Sequence, residues 1–172
     1  SDFKGSFKGA FNIREDGLCA GRSSSENVKI EDKDDNPGIN IRIAPGTKGE
    51  TVYIPACVTK GNIDDVVYND FFVGEGADAG CGVHTEDGHD ARHNGIHRFF
   101  LDKNASVLYK EKHIGTGKGT GQKRIDPVTE CTLGENAVLT MDTIQLRGVD
   151  STDRKTKGVL GKNAKLIIKE RI

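Results

Sequence analysis

Cys131-Thr132-Leu133-Gly134-Glu135-Asn136-Ala137 is the stretch that decides the fold, because three other segments repeat its pattern without gaps. Each copy has an aliphatic residue, a turn of Gly or Asp with a charged residue, and then Asn or Gly before Ala. The other copies are residues 71–77, 99–105 and 158–164. Weaker copies begin at Ile43 and Ile13. The chain is therefore predicted to repeat one unit of strands and turns.

The aliphatic residues of these copies, called the anchors here, set the period of the repeat. The anchors are Ile13, Ile43, Val73, Leu101, Leu133 and Leu160. They lie 27 to 32 residues apart, a period typical of solenoids, in which small repeats bury their apolar faces by stacking. Asn or Gly before Ala suits a left-handed backbone conformation at a corner.

The alternating apolar pattern of segments such as residues 39–43 indicates strands, and helical periodicity is scarce. We therefore expect an all-β fold, a right-handed parallel β-helix that forms a single domain over residues 1–172, with the anchors stacked inside it. A β-sandwich also has recurring strands, but at about 8 to 12 residues and without a shared motif.

Composition excludes several other functions. With 25 Lys and Arg against 26 Asp and Glu, the formal net charge is −1, so no field of one sign favours nucleic acid or an anionic membrane. No apolar run approaches the roughly 20 residues that span a bilayer. The spacing of the four cysteines fits neither a zinc ribbon nor a dense disulfide framework, which favours free thiols in a reducing cytoplasm.

A series of short motifs runs in order through the second half of the chain. The motifs are Cys81-Gly82-Val83-His84, Asn94-Gly95-Ile96-His97, Lys103-Asn104-Ala105, Pro127-Val128-Thr129-Glu130, Gly148-Val149-Asp150-Ser151-Thr152 and Asn163-Ala164-Lys165-Leu166. Residues 73–172 resemble the core of the SufB/SufD family, the scaffold subunits of the Suf machinery that assembles iron–sulfur clusters. The similarity is greatest to the short, single-paralogue members, and the first 70 residues match more loosely.

This resemblance implies a right-handed parallel β-helix that acts as a cytoplasmic scaffold and is not itself an enzyme. It implies a β-helix dimer with an identical copy or a paralogue, a SufC-type ATPase bound through a helical segment, and a cysteine desulfurase that donates sulfur as persulfide. The cargo would be a nascent iron–sulfur cluster, held transiently. No such helical segment is recognisable within residues 1–172, so the chain is expected to be part of a longer protein. Its last repeat has no polar cap behind it, so the chain is expected either to be cut from a longer protein or to close its open end by association.

The residues best suited to chemistry cluster around Cys81. His84, His89, His93 and His97 follow it within 16 residues, and thiolate with imidazole is a ligand set for iron or zinc. We expect Cys81 and His84 to be close enough to share one ion, although the segment also reads as a solvated polar loop. The resemblance also makes Cys81 the candidate sulfur acceptor, and a neighbouring protonated histidine would lower the pKa of its thiol.

The remaining motifs favour structural roles. Cys19, Cys57 and Cys131 are expected to be buried as small apolar residues, and Cys131 takes the repeat position that Phe71 and Phe99 occupy in other copies. The glycine-rich residues 115–124 do not fit a phosphate-binding loop, because Lys118 is followed by Gly, and are expected to be an insertion between turns. Two other functions stay open at this stage, a β-helix polysaccharide lyase and a structural module that binds metal.

Overall fold

The computed structural model describes residues 9–16, 18–58, 64–87, 92–115, 124–125, 128–147, 151–152 and 154–171. These residues form strands and turns, and none of them is helical. Sheet A contains β1 (Phe11–Glu15), β2 (Leu18–Ser23), β5 (Lys48–Val58), β7 (Asp78–Asp87), β9 (Ser106–Gly115), β12 (Val138–Arg147) and β15 (Lys165–Arg171). Sheet B contains β3 (Val28–Asp32), β4 (Gly38–Ile43), β6 (Asp64–Val73), β8 (Arg92–Leu101), β11 (Val128–Leu133) and β14 (Lys155–Leu160). A separate parallel pair is formed by β10 (Arg124–Ile125) and β13 (Ser151–Thr152).

Each turn of the coil places one strand in sheet B and the following strand in sheet A. The successive turns are β4–β5, β6–β7, β8–β9, β11–β12 and β14–β15, and each strand pairs in parallel with its counterparts in the neighbouring turns. The predicted all-β parallel solenoid is confirmed. The Gly-rich insertion predicted at residues 115–124 lies almost wholly outside the described residues.

Five of the six predicted anchors form one ladder in sheet B. Ile43 pairs with Val73, Val73 with Leu101, Leu101 with Leu133 and Leu133 with Leu160. The first four are buried, and each contributes about 1.5–3 kcal/mol by leaving water. The ladder therefore confirms the register that the repeat predicted.

The sixth anchor, Ile13, was wrongly placed in this ladder. It is buried, but it lies in β1 of sheet A, which pairs with β5. Its copy of the motif was the weakest, and its Asp16 marks the antiparallel turn between β1 and β2 instead of a corner of the coil.

The corner that leads from sheet B to sheet A has the same backbone conformation in every turn. The residue at this corner has a φ between 58° and 72° throughout, and the series is Gly46, Gly76, Asn104, Asn136 and Asn163. The amide nitrogen of each of the first four donates to a carbonyl oxygen in the next turn at 2.9–3.0 Å. The predicted left-handed corner is confirmed.

Aromatic side chains continue the stacking inside the coil. Phe71 and Phe99 stack with ring centroids 4.6 Å apart, and Tyr109 meets Phe99 edge-on at 5.1 Å. Cys131 pairs with Phe99 in the ladder of β11 and β8 and is buried. The prediction that it takes the core position of an aromatic residue is therefore confirmed.

The two ends of the described coil differ. At the first end, β2 and β3 pair antiparallel with β1 and β4 and cover their edges. At the other end, β14 and β15 are the outermost described strands, and apolar side chains there are exposed, among them Val159, Leu160, Ile167 and Ile168. Within the described residues, the structure has no helix of the length and apolarity needed to cross a membrane.

Candidate functional site

Cys81 lies inside the coil. It is flanked in β7 by Ala79 and Val83, which also face the interior, and its side chain is 3% exposed. Tyr109 of β9 lies beside it in register. Burial raises the pKa of the Cys81 thiol, and the negative charge of Glu111 raises it further. The expectation that histidine lowers this pKa is therefore wrong, and the thiol is protonated at neutral pH.

Tyr109 and Glu111 form a hydrogen-bonded pair beside Cys81. The Tyr109 hydroxyl donates to Glu111 Oε2 over 2.9 Å, and the Glu111 side chain is almost completely buried. Burial and the neighbouring carboxylate raise the pKa of Tyr109 well above its usual value. The phenol is thus a permanent donor, and it fixes the carboxylate inside the coil.

Arg154 supplies the positive charge that a buried carboxylate requires. Its Nη1 lies 3.3 Å from Glu111 Oε2, and its Nε lies 3.7 Å from Glu170 Oε1. Arg154 immediately precedes β14, and its side chain is 9% exposed, so it reaches from the loop into the coil. Without such a partner, a buried carboxylate is strongly destabilising.

The sheet B side of this region is polar as well. His97 is buried in β8, with its ring centroid 5.5 Å from that of Tyr109, and it pairs in register with Asn69 and Thr129. Three buried oxygen atoms have no hydrogen-bond partner among the described residues: Asn69 Oδ1 and the Thr129 hydroxyl in sheet B, and the Thr143 hydroxyl in sheet A. Buried polar atoms are rarely left unsatisfied, so this interior level is suited to hold water or a polar guest.

The predicted metal ligands are not brought together. Cys81 and His84 are three residues apart in one strand and therefore face opposite sides of sheet A, so they do not share an ion. His97 lies inside the coil in sheet B. His89 and the side chain of His93 lie outside the described part of the chain. Among the described residues, no group of three or more His, Cys, Asp or Glu side chains is arranged to hold a metal ion.

The other cysteines divide between core and surface. Cys19 is exposed in β2, so the prediction that it is buried is wrong, because β2 is the antiparallel edge strand added to sheet A. Cys131 is buried, and burial raises the pKa of its thiol. The side chain of Cys57 lies outside the described part of the chain.

Sequence reasoning did not single out Tyr109, Glu111 or Arg154 as site residues. A signal was present for the first two, since Val107, Tyr109 and Glu111 alternate along one strand and therefore face the same side. Arg154 enters from a loop, and no periodicity predicts its direction. Comparisons with protein-family models, curated proteins and solved structures found no match for this chain.

Proposed function

We propose that this chain is a scaffold component of a Suf-type iron–sulfur cluster assembly complex, in which Cys81 accepts sulfur inside the coil. The observation that carries the proposal is the enclosed group of Cys81, Tyr109, Glu111 and His97, which combines a thiol, a carboxylate and an imidazole. Iron accepts each of these ligand types, but the described residues do not arrange three of them around one ion, so a partner or a local rearrangement would have to complete the site. The parallel solenoid agrees with the fold that the SufB/SufD resemblance implies.

Sulfur transfer at this site requires a thiolate. The Cys81 thiolate attacks the terminal sulfur of a donor persulfide, the donor's S–S bond breaks, and the donor leaves as a thiolate, so a persulfide remains on Cys81. In the resting coil the raised pKa of Cys81 opposes this step. Burial is the larger cause of this rise and the charge of Glu111 the smaller, so sulfur transfer would require local opening of the coil around Cys81 as well as a cation near Glu111.

Burial of the site gives the persulfide a protected position. With Cys81 almost fully buried, a persulfide there is shielded from water and from oxidants. Transfer then requires the coil to open locally or a partner to engage it, which fits a protein that works only within a complex. The cysteine desulfurase and the SufC-type ATPase are the partners proposed for these steps.

The proposed β-helix partner is an identical copy or a paralogue, and substitutions in the outermost described strands test whether this chain associates through them. Leu160 pairs with Leu133 in the parallel ladder, yet its side chain is 44% exposed, and the side chain of Ile168 is 48% exposed. Light scattering should show association that Leu160→Asp with Ile168→Asp abolishes. Leu18→Asp, at the opposite end and also exposed, is the matched control and should leave association unchanged.

Sulfur loading tests the central claim. The chain is incubated anaerobically with a cysteine desulfurase and cysteine, and alkylated peptides are analysed by mass spectrometry. A sulfur adduct should be found on Cys81, disappear in Cys81→Ser and persist in Cys131→Ser, which alters the other buried described thiol. Loading on Cys19 alone, with equal iron–sulfur reconstitution in Cys81→Ser and the unaltered chain, would exclude the proposal.

The alternative functions have less support. A structural module that binds metal through the histidine cluster has less support, because His84 lies on the outer face of sheet A while His97 is buried inside the coil in sheet B. Calcium-dependent cleavage of polygalacturonate is the measurement for the lyase alternative, and we expect none. No described observation favours that activity over the scaffold.

A further inference from the structure

A groove runs along the outer face of sheet A. Its floor is β7, which presents Gly80 and Gly82 outward between the side chains of β5 and β9. Two hollows, each of about 240 Å³, open along this floor and share the Tyr53, Gly82 and Lys110 lining. The residues of this glycine groove that face outward are Thr51, Tyr53, Pro55, Gly80, Gly82, His84, Leu108, Lys110 and Lys112.

The backbone does not require glycine at the floor. Neither Gly80 nor Gly82 has a positive φ, so other residues could adopt these conformations. A Cβ on Gly82 would lie 3.3 Å from Tyr53 Cδ1, and one on Gly80 would lie 3.1 Å from Thr51 Oγ1. Side chains at these positions would therefore fill the groove and displace its wall. Glycine within a strand often marks a place where another chain or ligand approaches closely.

One wall of the groove is apolar and the other is basic. Tyr53 forms the first wall, with its ring over the Gly82 backbone. Leu108, Lys110 and Lys112 project from β9 and form the second, and Leu108 is exposed. The aliphatic stems of the lysines extend the apolar lining, while their ammonium groups remain at the rim.

Within the described lining of the groove, no negative charge offsets the two lysines. Among the described residues, neither Lys110 nor Lys112 has an ion-pair or hydrogen-bond partner, and no carboxylate lines either hollow. Asp142 of β12 lies opposite Lys110 in the pairing of β12 with β9, but it does not line the groove. The outer face of sheet B differs, because there Asp70 pairs with both Lys33 and Arg98 at 2.6 Å.

We propose that the glycine groove binds an extended acidic segment of a partner protein. Its carboxylates would pair with Lys110 and Lys112, and an apolar side chain would lie above Gly80 against Leu108 and Tyr53. The groove extends from Gly80 to His84, roughly 13 Å at the rise of a strand, which four or five extended residues match. Alternate residues of an extended peptide face the same side, and Leu108, Lys110 and Lys112 alternate along β9, so the pattern recognised is apolar, any, acidic, any, acidic. This inference does not depend on sulfur chemistry at Cys81.

A fluorescein-labelled peptide Leu-Ser-Glu-Ser-Glu, measured by fluorescence anisotropy, is the direct probe. Saturable binding is expected, weakened by salt because the charges are exposed. Lys110→Glu with Lys112→Glu should raise the dissociation constant at least about tenfold, as loss of complementary charges requires. Gly82→Val should weaken binding as well, by filling the hollow. Circular dichroism of each variant should match that of the unaltered chain.

Control measurements separate this site from general attraction. Lys157→Glu, an exposed change on sheet B, should leave the dissociation constant unchanged. Peptides with Lys for Glu, or Ser for Leu, should bind at least about tenfold more weakly. The proposal is overturned if no saturable binding occurs, or if Lys157→Glu weakens binding as much as the groove variants. It is also overturned if light scattering shows a dimer that Lys110→Glu dissociates, since a second copy would then occupy the groove.

Discussion

Asn136 lies directly over Asn104 at the same corner of successive turns, and its Nδ2 donates to Asn104 Oδ1 over 3.2 Å. Both residues have a left-handed backbone, with φ of 61° and 62°. The conformation exposes each amide nitrogen to a carbonyl oxygen of the next turn. Asparagine thus stabilises the corner in two ways. It tolerates the left-handed backbone, and its side-chain amide forms a hydrogen bond to the adjacent turn.

Replacement of Asn136 should separate these two contributions. Asn136→Ala removes the short polar side chain by which asparagine tolerates the left-handed region, and is expected to lower the free energy of unfolding by about 1–2 kcal/mol. Asn136→Gly keeps the backbone unstrained and loses only the exposed amide bond, so its cost should be well below that of Ala. Urea denaturation followed by circular dichroism measures both. Asn27→Ala, an exposed position without a positive φ, is the control, and equal effects of Ala and Gly at 136 would contradict the strain argument.

The fold was predictable because one physical constraint acts in every turn. A stacked coil needs an aliphatic residue at the end of the sheet B strand and a left-handed residue at the corner, and the series from Val73 to Leu160 satisfies both. Ile13 was misplaced because the first strands are antiparallel additions that lack this constraint. An aliphatic residue before a polar turn is common in strands of either kind, so the anchor alone could not distinguish them.

Thiol reactivity should follow burial. In a Cys57→Ser background, Cys19 is exposed and should react with a disulfide reagent at the rate of an ordinary thiol. Cys81 should react at least about tenfold more slowly, because the thiolate is the nucleophile and its fraction falls tenfold for each unit that the pKa rises. Stopped-flow absorbance resolves the two phases, and Cys19→Ser should remove the fast one. A fast phase that persists in Cys19→Ser but disappears in Cys81→Ser would contradict the closed coil.

Stability should fall at alkaline pH through Cys81. Its pKa is raised by folding, so above the ordinary thiol value of about 8.5 the unfolded chain loses a proton that the folded chain keeps. The unfolded state is then favoured, and the free energy of unfolding should decrease by up to about 1.4 kcal/mol per pH unit. Below that pH the thiol contributes no dependence, because both states are protonated. Urea denaturation between about pH 7 and 10 measures the slope, which Cys81→Ala should reduce and Cys19→Ala should leave unchanged.

The candidate site was only partly predictable, and strand geometry explains where the reasoning failed. Cys81 was chosen as a candidate site residue together with His84, because proximity in sequence was taken for proximity in space. An odd separation within a strand places two side chains on opposite faces, so the thiol lies inside and the imidazole outside. The neighbours of Cys81 come from the next turn, about 30 residues along the chain, and only the register of β7 against β9 identifies them.

Removal of the Arg154 side chain should lower the free energy of unfolding, because the Glu111 carboxylate is buried. Arg154→Met keeps much of the side-chain volume but leaves Glu111 buried without its cation, which typically costs about 3–5 kcal/mol of stability. Adding Glu111→Gln to Arg154→Met should recover a large part of that loss, since a neutral amide can still accept from Tyr109 and needs no counter-ion. The free energies of unfolding of the two single variants and the double variant, from urea denaturation, give the coupling between Arg154 and Glu111.

Arg42→Met, which removes an exposed ion pair with Glu31, is the matched control and should cost less than about 1 kcal/mol. If Arg154→Met costs no more than Arg42→Met, or if the double variant is no more stable than Arg154→Met alone, the ion pair does not hold the interior of the coil together.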